Sequence, residues 1–180
     1  ALLACTTGNY NNAFGESSLK TITTGSSNCA FGGSALRETT TADNNSAFGE
    51  SALRANTTGA QNTAFGGLAL TANTTGSNNT AVGYAALDTA TTASDNTAMG
   101  YAANYALTTG NQNVAIGYRA MYTNTVGDRN VAVGYGALET NNPSSNEDSY
   151  NTAIGFYALQ ATTTGTNNTA VGGSAMLVNT

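Results

Sequence analysis

Asn62-Thr63-Ala64-Phe65-Gly66-Gly67-Leu68-Ala69-Leu70-Thr71-Ala72-Asn73-Thr74-Thr75-Gly76 decides how this 180-residue chain folds. Its core is Asn-x-Ala-x-Gly, and the alanine recurs at Ala13, Ala30, Ala47, Ala64, Ala81, Ala98, Ala115 and Ala132, 17 residues apart each time. An insertion of four residues follows, and the pattern resumes at Ala153 and Ala170. A short fixed period that covers the whole chain signals stacked repeats. Seventeen residues are too few for a repeat of two helices, whose periods run over about 33 residues. They suit one turn of a parallel β-solenoid, so the expected fold is all-β, with each coil about 4.8 Å above the last.

With the alanine as position zero, asparagine stands two residues earlier in every copy, at Asn11, Asn28, Asn45, Asn62, Asn79, Asn96, Asn113, Asn130, Asn151 and Asn168. Stacked amides can donate to one another along the axis, so these ten residues are read as a structural ladder. Because position zero is never Ser or Thr, none of them heads a glycosylation acceptor.

The residue after the alanine is apolar throughout, from Phe14, Phe31, Phe48 and Phe65 to Val82, Met99, Ile116, Val133, Ile154 and Val171, and glycine follows it. This reads as a short strand with one bulky and one bare face. A column running Leu19, Leu36, Leu53, Leu70, Leu87, Met121, Leu138, Leu159 and Met176 reads as a second strand, interrupted by Asn104, with Leu107 three residues on. Thr-Thr-Gly closes most coils, and its glycine is expected to supply a positive φ at a tight corner. Two large apolar side chains per coil are few against the backbone entropy of 17 ordered residues. Further contact is therefore expected from neighbouring chains against the bare Ala and Gly faces, which predicts a homotrimer or fibre.

Charged residues make up 8% of the chain, and ten acids against five bases leave a net charge of −5. That balance argues against nucleic acid as a partner. No apolar run is long enough to span a bilayer. The opening Ala1-Leu2-Leu3-Ala4 is too short for a signal peptide. The 1–180 array is expected to begin and end in mid-coil, as one segment of a longer fibre. Histidine is absent, and no paired-cysteine metal motif or phosphate loop occurs. Without them neither a histidine-based triad nor a zinc site can be assembled, so no catalytic residues, metal or cofactor are expected. Cys5 and Cys29 occupy different repeat positions, which leaves their oxidation state open.

The run Asn79-Thr80-Ala81-Val82-Gly83-Tyr84-Ala85-Ala86-Leu87, followed by Thr-Thr corners, resembles the repeats of phage tail-fibre and bacterial surface proteins. It is similar, more distantly, to the head repeats of trimeric autotransporter adhesins. The resemblance implies a trimeric β-roll serving as a rigid shaft or adhesive head, extracellular, at a cell surface or on a virion, with a cell-surface glycan or receptor as partner. Tyr84, Tyr101, Tyr118, Tyr135 and Phe156 form an aromatic column three residues after the alanine, read either as rings that stack on one another or pack against a neighbouring chain, or as a surface suited to stacking on sugar rings. The insertion Asn141 to Ser149 is expected to bulge outward, with oxygens that fit no EF-hand spacing. Thr23-Thr24, Thr57-Thr58, Thr74-Thr75, Thr91-Thr92 and Thr108-Thr109 define the alternative reading, an ice-binding array. Glu16 with Lys20, and Glu50 with Arg54, sit at matching positions as expected ion pairs.

Overall fold

A computed structural model of the chain describes residues 1–143 and 148–179. It is an all-β parallel solenoid of about nine turns with about 17 residues per coil. The strands are β1 (Asn12–Phe14), β2 (Cys29–Phe31), β3 (Ser46–Phe48), β4 (Thr63–Phe65), β5 (Thr80–Val82), β6 (Thr97–Met99), β7 (Val114–Ile116), β8 (Val131–Val133), β9 (Thr152–Ile154), β10 (Ala161–Thr162), β11 (Thr169–Val171) and β12 (Val178–Asn179). All but β10 and β12 form one ten-stranded sheet in chain order, and those two pair separately. The repeat register holds at every step: Ala64 pairs Ala81, and across the insertion Ala132 still pairs Ala153.

Each strand of the large sheet has three residues, so its middle residue points one way and its two neighbours the other. The middle residue is the repeat alanine, and Ala30 through Ala153 are fully buried. The apolar residue after it therefore faces outward, against the expectation that this column fills the core. Phe14 is 73% exposed and Phe65 58%, and Phe14, Phe31, Phe48 and Phe65 stack on one another along the outer surface. A coil of 17 residues encloses a narrow interior. Alanines at positions zero and five, with one leucine column, already fill it.

The leucine column is buried from Leu19 to Leu159, with Met176 in the last coil exposed, and it does not lie on a strand. Leu36, Leu53, Leu70 and Leu87 sit in a turn at φ of 50 to 54°. Two further non-glycine columns per coil share this left-handed conformation, for instance Ser51 and Asn44. For L-residues it costs roughly 1–2 kcal/mol. Each of these amides donates to a carbonyl of an adjacent coil, as Leu53 N does to Ala69 O at 3.0 Å and Asn44 N to Ser26 O at 3.0 Å. The hydrogen-bonded stack, not residue type, thus imposes the backbone.

Positive φ at glycine is found two residues after the repeat alanine, between +126 and +141° from Gly15 to Gly172. The Thr-Thr-Gly glycines lie outside the left-handed region, which corrects the expected corner. They are there for space. A Cβ on Gly76 would stand 2.1 Å from Ala93 O of the next coil and 2.5 Å from Asn73 Oδ1, and one on Gly127 would stand 2.7 Å from Asn124 Oδ1. Where this position is alanine, at Ala42 and Ala93, the residue three before it is Thr39 or Ala90 instead of asparagine.

The coil containing Asn104 keeps the common backbone, with φ 49° there, and exchanges two side chains. Asn104 takes the leucine site and Leu107 the site held by Asn124 one coil on, both fully buried. Neither Oδ1 nor Nδ2 of Asn104 has a hydrogen-bond partner. A buried amide left unpaired costs about 1–3 kcal/mol. Leu19 and Ile22 show that both sites can hold large aliphatic side chains together. Asn104→Leu is therefore expected to stabilise the fold by about 1–3 kcal/mol, read as a higher denaturant midpoint.

Candidate functional site

The ten ladder asparagines line one inner edge of the solenoid, and Asn28 through Asn151 are fully buried. Asn96 is typical. Its N–H and its Nδ2 both donate to Asn79 Oδ1, at 3.0 and 3.2 Å, and Nδ2 also donates to Gly110 O at 3.0 Å. Its own Oδ1 accepts from Asn113 N at 2.9 Å and Asn113 Nδ2 at 3.2 Å. Each side chain thus ties its coil to the coils before and after it. The insertion does not interrupt the chain of contacts, since Asn151 N donates to Asn130 Oδ1 at 3.1 Å.

Tyr84, Tyr101, Tyr118, Tyr135 and Phe156 lie together on an outer corner, half-exposed, with near-parallel rings 4.8 to 5.8 Å apart. A second, shorter column not singled out from the sequence runs beside them. Tyr105 and Tyr122 stack at 5.2 Å, seven residues after their alanines. Between the two columns lies a groove of about 310 Å³. Ala85 and Ala102 form its floor, Leu68 and Asp88 close one end, and Arg119 closes the other. Arg119 lies 4.1 Å over the Tyr122 ring and pairs with Glu139 at 3.0 Å. Partial burial raises the Asp88 carboxyl above its usual range, against the lowering effects of a hydrogen bond to Thr71 and the charge of Arg54. The Asp88 charge in turn raises the Tyr105 phenol.

Positions three and seven face each other across this same corner in every coil, so Glu16 and Lys20, and likewise Glu50 and Arg54, occupy opposite rims. Neither pair forms an ion pair. Those among the described residues are Arg37 with Glu38, Arg119 with Glu139, and Arg129 with Asp148. Cys5 and Cys29 are free thiols. Among the described residues no group of His, Cys, Asp and Glu is placed to hold a metal ion, and no helix is long and apolar enough to cross a membrane.

The first threonine of each pair is committed to the backbone. Thr57 Oγ1 donates to Thr74 O at 2.9 Å, Thr74 Oγ1 to Thr91 O at 3.0 Å, and Thr91 Oγ1 to Thr108 O at 3.1 Å. Only the second column, Thr24, Thr58, Thr75 and Thr92, is exposed. At the insertion, Asn141 and Pro143 are buried and Asn142 Oδ1 accepts from Thr125 Oγ1 at 2.6 Å. Ser144 to Glu147, on which the expected outward bulge depends, lie outside the described residues.

Comparison with protein-family models, with curated proteins and with solved structures finds no match to this chain.

Proposed function

We propose that the chain is a rigid shaft or adhesive head of an extracellular or virion-borne appendage, built from three copies and displaying its tyrosine corner to glycans or a receptor. One observation carries this reading. The outer face of the ten-stranded sheet bears an unbroken apolar stripe from Phe14 to Val171, one residue per coil, on the order of 40 Å long. Large exposed apolar patches mark interaction surfaces. A flat stripe that repeats with the coil is most simply matched by a second copy in register, and a three-fold arrangement would bury all such stripes about one axis. The Ala and Gly columns, from which contact with other chains was first expected, are occupied within the chain itself and do not contribute.

The test is solution mass by light scattering. The expected value is three times the 18.1 kDa of the chain. Ile116→Lys with Val133→Lys, two adjacent residues of the stripe, is expected to give the single-chain mass with an unchanged far-ultraviolet spectrum. A wild-type chain that stays monomeric at high concentration would overturn the assembly. The exposed threonine column favours ice binding as the second reading, but it is one residue wide because its neighbouring column is bonded to the backbone. Thermal hysteresis from a monomer would promote that reading over the first.

A further inference from the structure

We infer that the groove between the two tyrosine columns is a binding site for an extended, neutral oligosaccharide lying along the rod axis, with one pyranose ring over each of Ala85 and Ala102. This inference rests on the adhesive reading above and gives it a specific site. Three features of the groove converge on that ligand.

The first is shape. The residue four after the repeat alanine forms the floor, and in succession it is Leu68, Ala85, Ala102 and Arg119. Only the two alanines leave the floor low, and the larger side chains stop the groove at both ends. Past Arg119 the corner is filled, because Tyr157 packs where a Cβ on Gly136 would lie and makes an edge contact with Tyr135 at 5.3 Å. The volume of about 310 Å³ is at the small end of ligand sites, which run from about 300 to 1,000 Å³. That is room for a short oligomer and not for a folded partner.

The second is period. The coils, and with them the tyrosines, advance by about 4.8 Å. One pyranose unit of an extended β-linked chain advances by nearly the same amount. Successive sugars would therefore each meet a tyrosine ring and an alanine floor, Tyr84 with Ala85 and then Tyr101 with Ala102, while the opposite rim changes from Asp88 to Tyr105.

The third is chemistry. Tyrosine combines an apolar ring with a hydroxyl, which matches the C–H faces and hydroxyl rim of a sugar. The charge at the far end is neutralised, since Arg119 is held by Glu139, whereas Asp88 has no ion-pair partner among the described residues. Among the residues that line the groove, a negatively charged sugar would find the Arg119 cation already paired and would meet the Asp88 carboxylate, with the Arg54 charge offsetting it from outside the lining, so acidic glycans are disfavoured.

The experiment titrates the full chain with cellotetraose, tetra-N-acetylchitotetraose and the acidic, likewise β-linked tetramannuronate. Binding is followed by calorimetry and by tyrosine fluorescence, which tryptophan does not mask in this chain. The expected result is saturable binding of the two neutral tetramers and at least tenfold weaker binding of the acidic one. Ala102→Arg should fill the floor with the side chain already accommodated at the equivalent position 119, and should weaken binding at least tenfold. Tyr105→Ala, a surface change with little folding risk, should do the same, while Thr58→Ala on another face should leave affinity within twofold.

Binding that survives both groove variants would overturn the site. So would binding of only a flat cationic aromatic probe such as thioflavin T, or of no saccharide at all. If the mass measurement still gives three chains in that last case, the shaft reading stands and only the groove assignment falls.

Discussion

Gly100→Ala is expected to cost about 2–6 kcal/mol and to divide the rod into two halves that melt separately. Two costs combine there. At φ +133° an L-residue is strained by about 1–3 kcal/mol. The added Cβ would also stand 2.5 Å from Gly117 O and 2.7 Å from Gly117 C. Both atoms are backbone, so no rotamer change relieves the contact, and overpacking of this kind costs about 1–3 kcal/mol more. In a repeat array stability is a sum over coils and their nearest-neighbour interfaces. Forcing one pair of coils apart should therefore uncouple the segments on either side. Hydrogen exchange should show Gly117 N, which donates to Met99 O at 2.7 Å, losing protection first. Gly33→Ala is the control: no heavy atom lies within 4 Å of its added Cβ, and its φ is outside the left-handed region. It should change stability by no more than about 0.5 kcal/mol. An unchanged melting profile for Gly100→Ala would mean that the coils can part without cost.

The period, the parallel stacking and the register were legible because a 17-residue spacing admits few alternatives. The direction of the side chains was not. Hydrophobicity favoured placing Phe65 and Val82 inside and leaving Ala64 and Ala81 bare, whereas the structure does the reverse. A better signal was present in the columns themselves. The alanine never varies, while the residue after it ranges from valine to phenylalanine. A stack with a narrow interior tolerates little change of volume between coils, so the invariant column is the buried one. The column nine residues after the alanine is the exception, and there changes are compensated nearby, as with Asn104 and Leu107 or with Asn73 and Gly76.

Backbone conformation was the least legible feature. Leu53, Ser51 and Asn44 share the left-handed region with no common chemistry, because a hydrogen bond from an adjacent coil selects it. Propensity places positive φ at the Thr-Thr-Gly glycine instead, where the constraint is the carbonyl of the next coil, joined at Gly59 and Gly76 by a nearby Asn amide and replaced by it at Gly127. The groove was half visible. The matched charges of Glu16 and Lys20 mark positions three and seven as neighbours, and Tyr101 and Tyr105 stand in the same relation without any charge to signal it. Aromatic residues also move between columns: coils with Phe after the alanine have Glu or Gly at position three, and Tyr84 appears there when Val82 replaces Phe. Each of these coils presents one aromatic to this side of the rod, and the groove starts where that residue shifts to the corner.

Asn96→Ala should cost about 3–5 kcal/mol although it removes no apolar packing. The ladder explains the size. Losing Oδ1 strips the acceptor from Asn113 N and Asn113 Nδ2, and losing Nδ2 leaves Gly110 O without that donor. All are buried, and each unmet group costs about 1–3 kcal/mol, with some relief by rearrangement. Asn168→Ala, at the half-buried end of the ladder, removes the 3.1 Å donation to Asn151 Oδ1 but leaves the backbone donation of Asn168 N at 3.0 Å to the same atom. Its expected cost is no more than about 1.5 kcal/mol. Asn96→Asp separates hydrogen bonding from shape. It keeps the acceptor for Asn113 but places a buried carboxylate where an amide donated to Asn79 and Gly110, so at neutral pH it should be at least as damaging as alanine. Denaturant midpoints for the three variants decide the matter. Equal, small losses at positions 96 and 168 would show that the stack is held by its backbone ladder alone, with the asparagines as passengers.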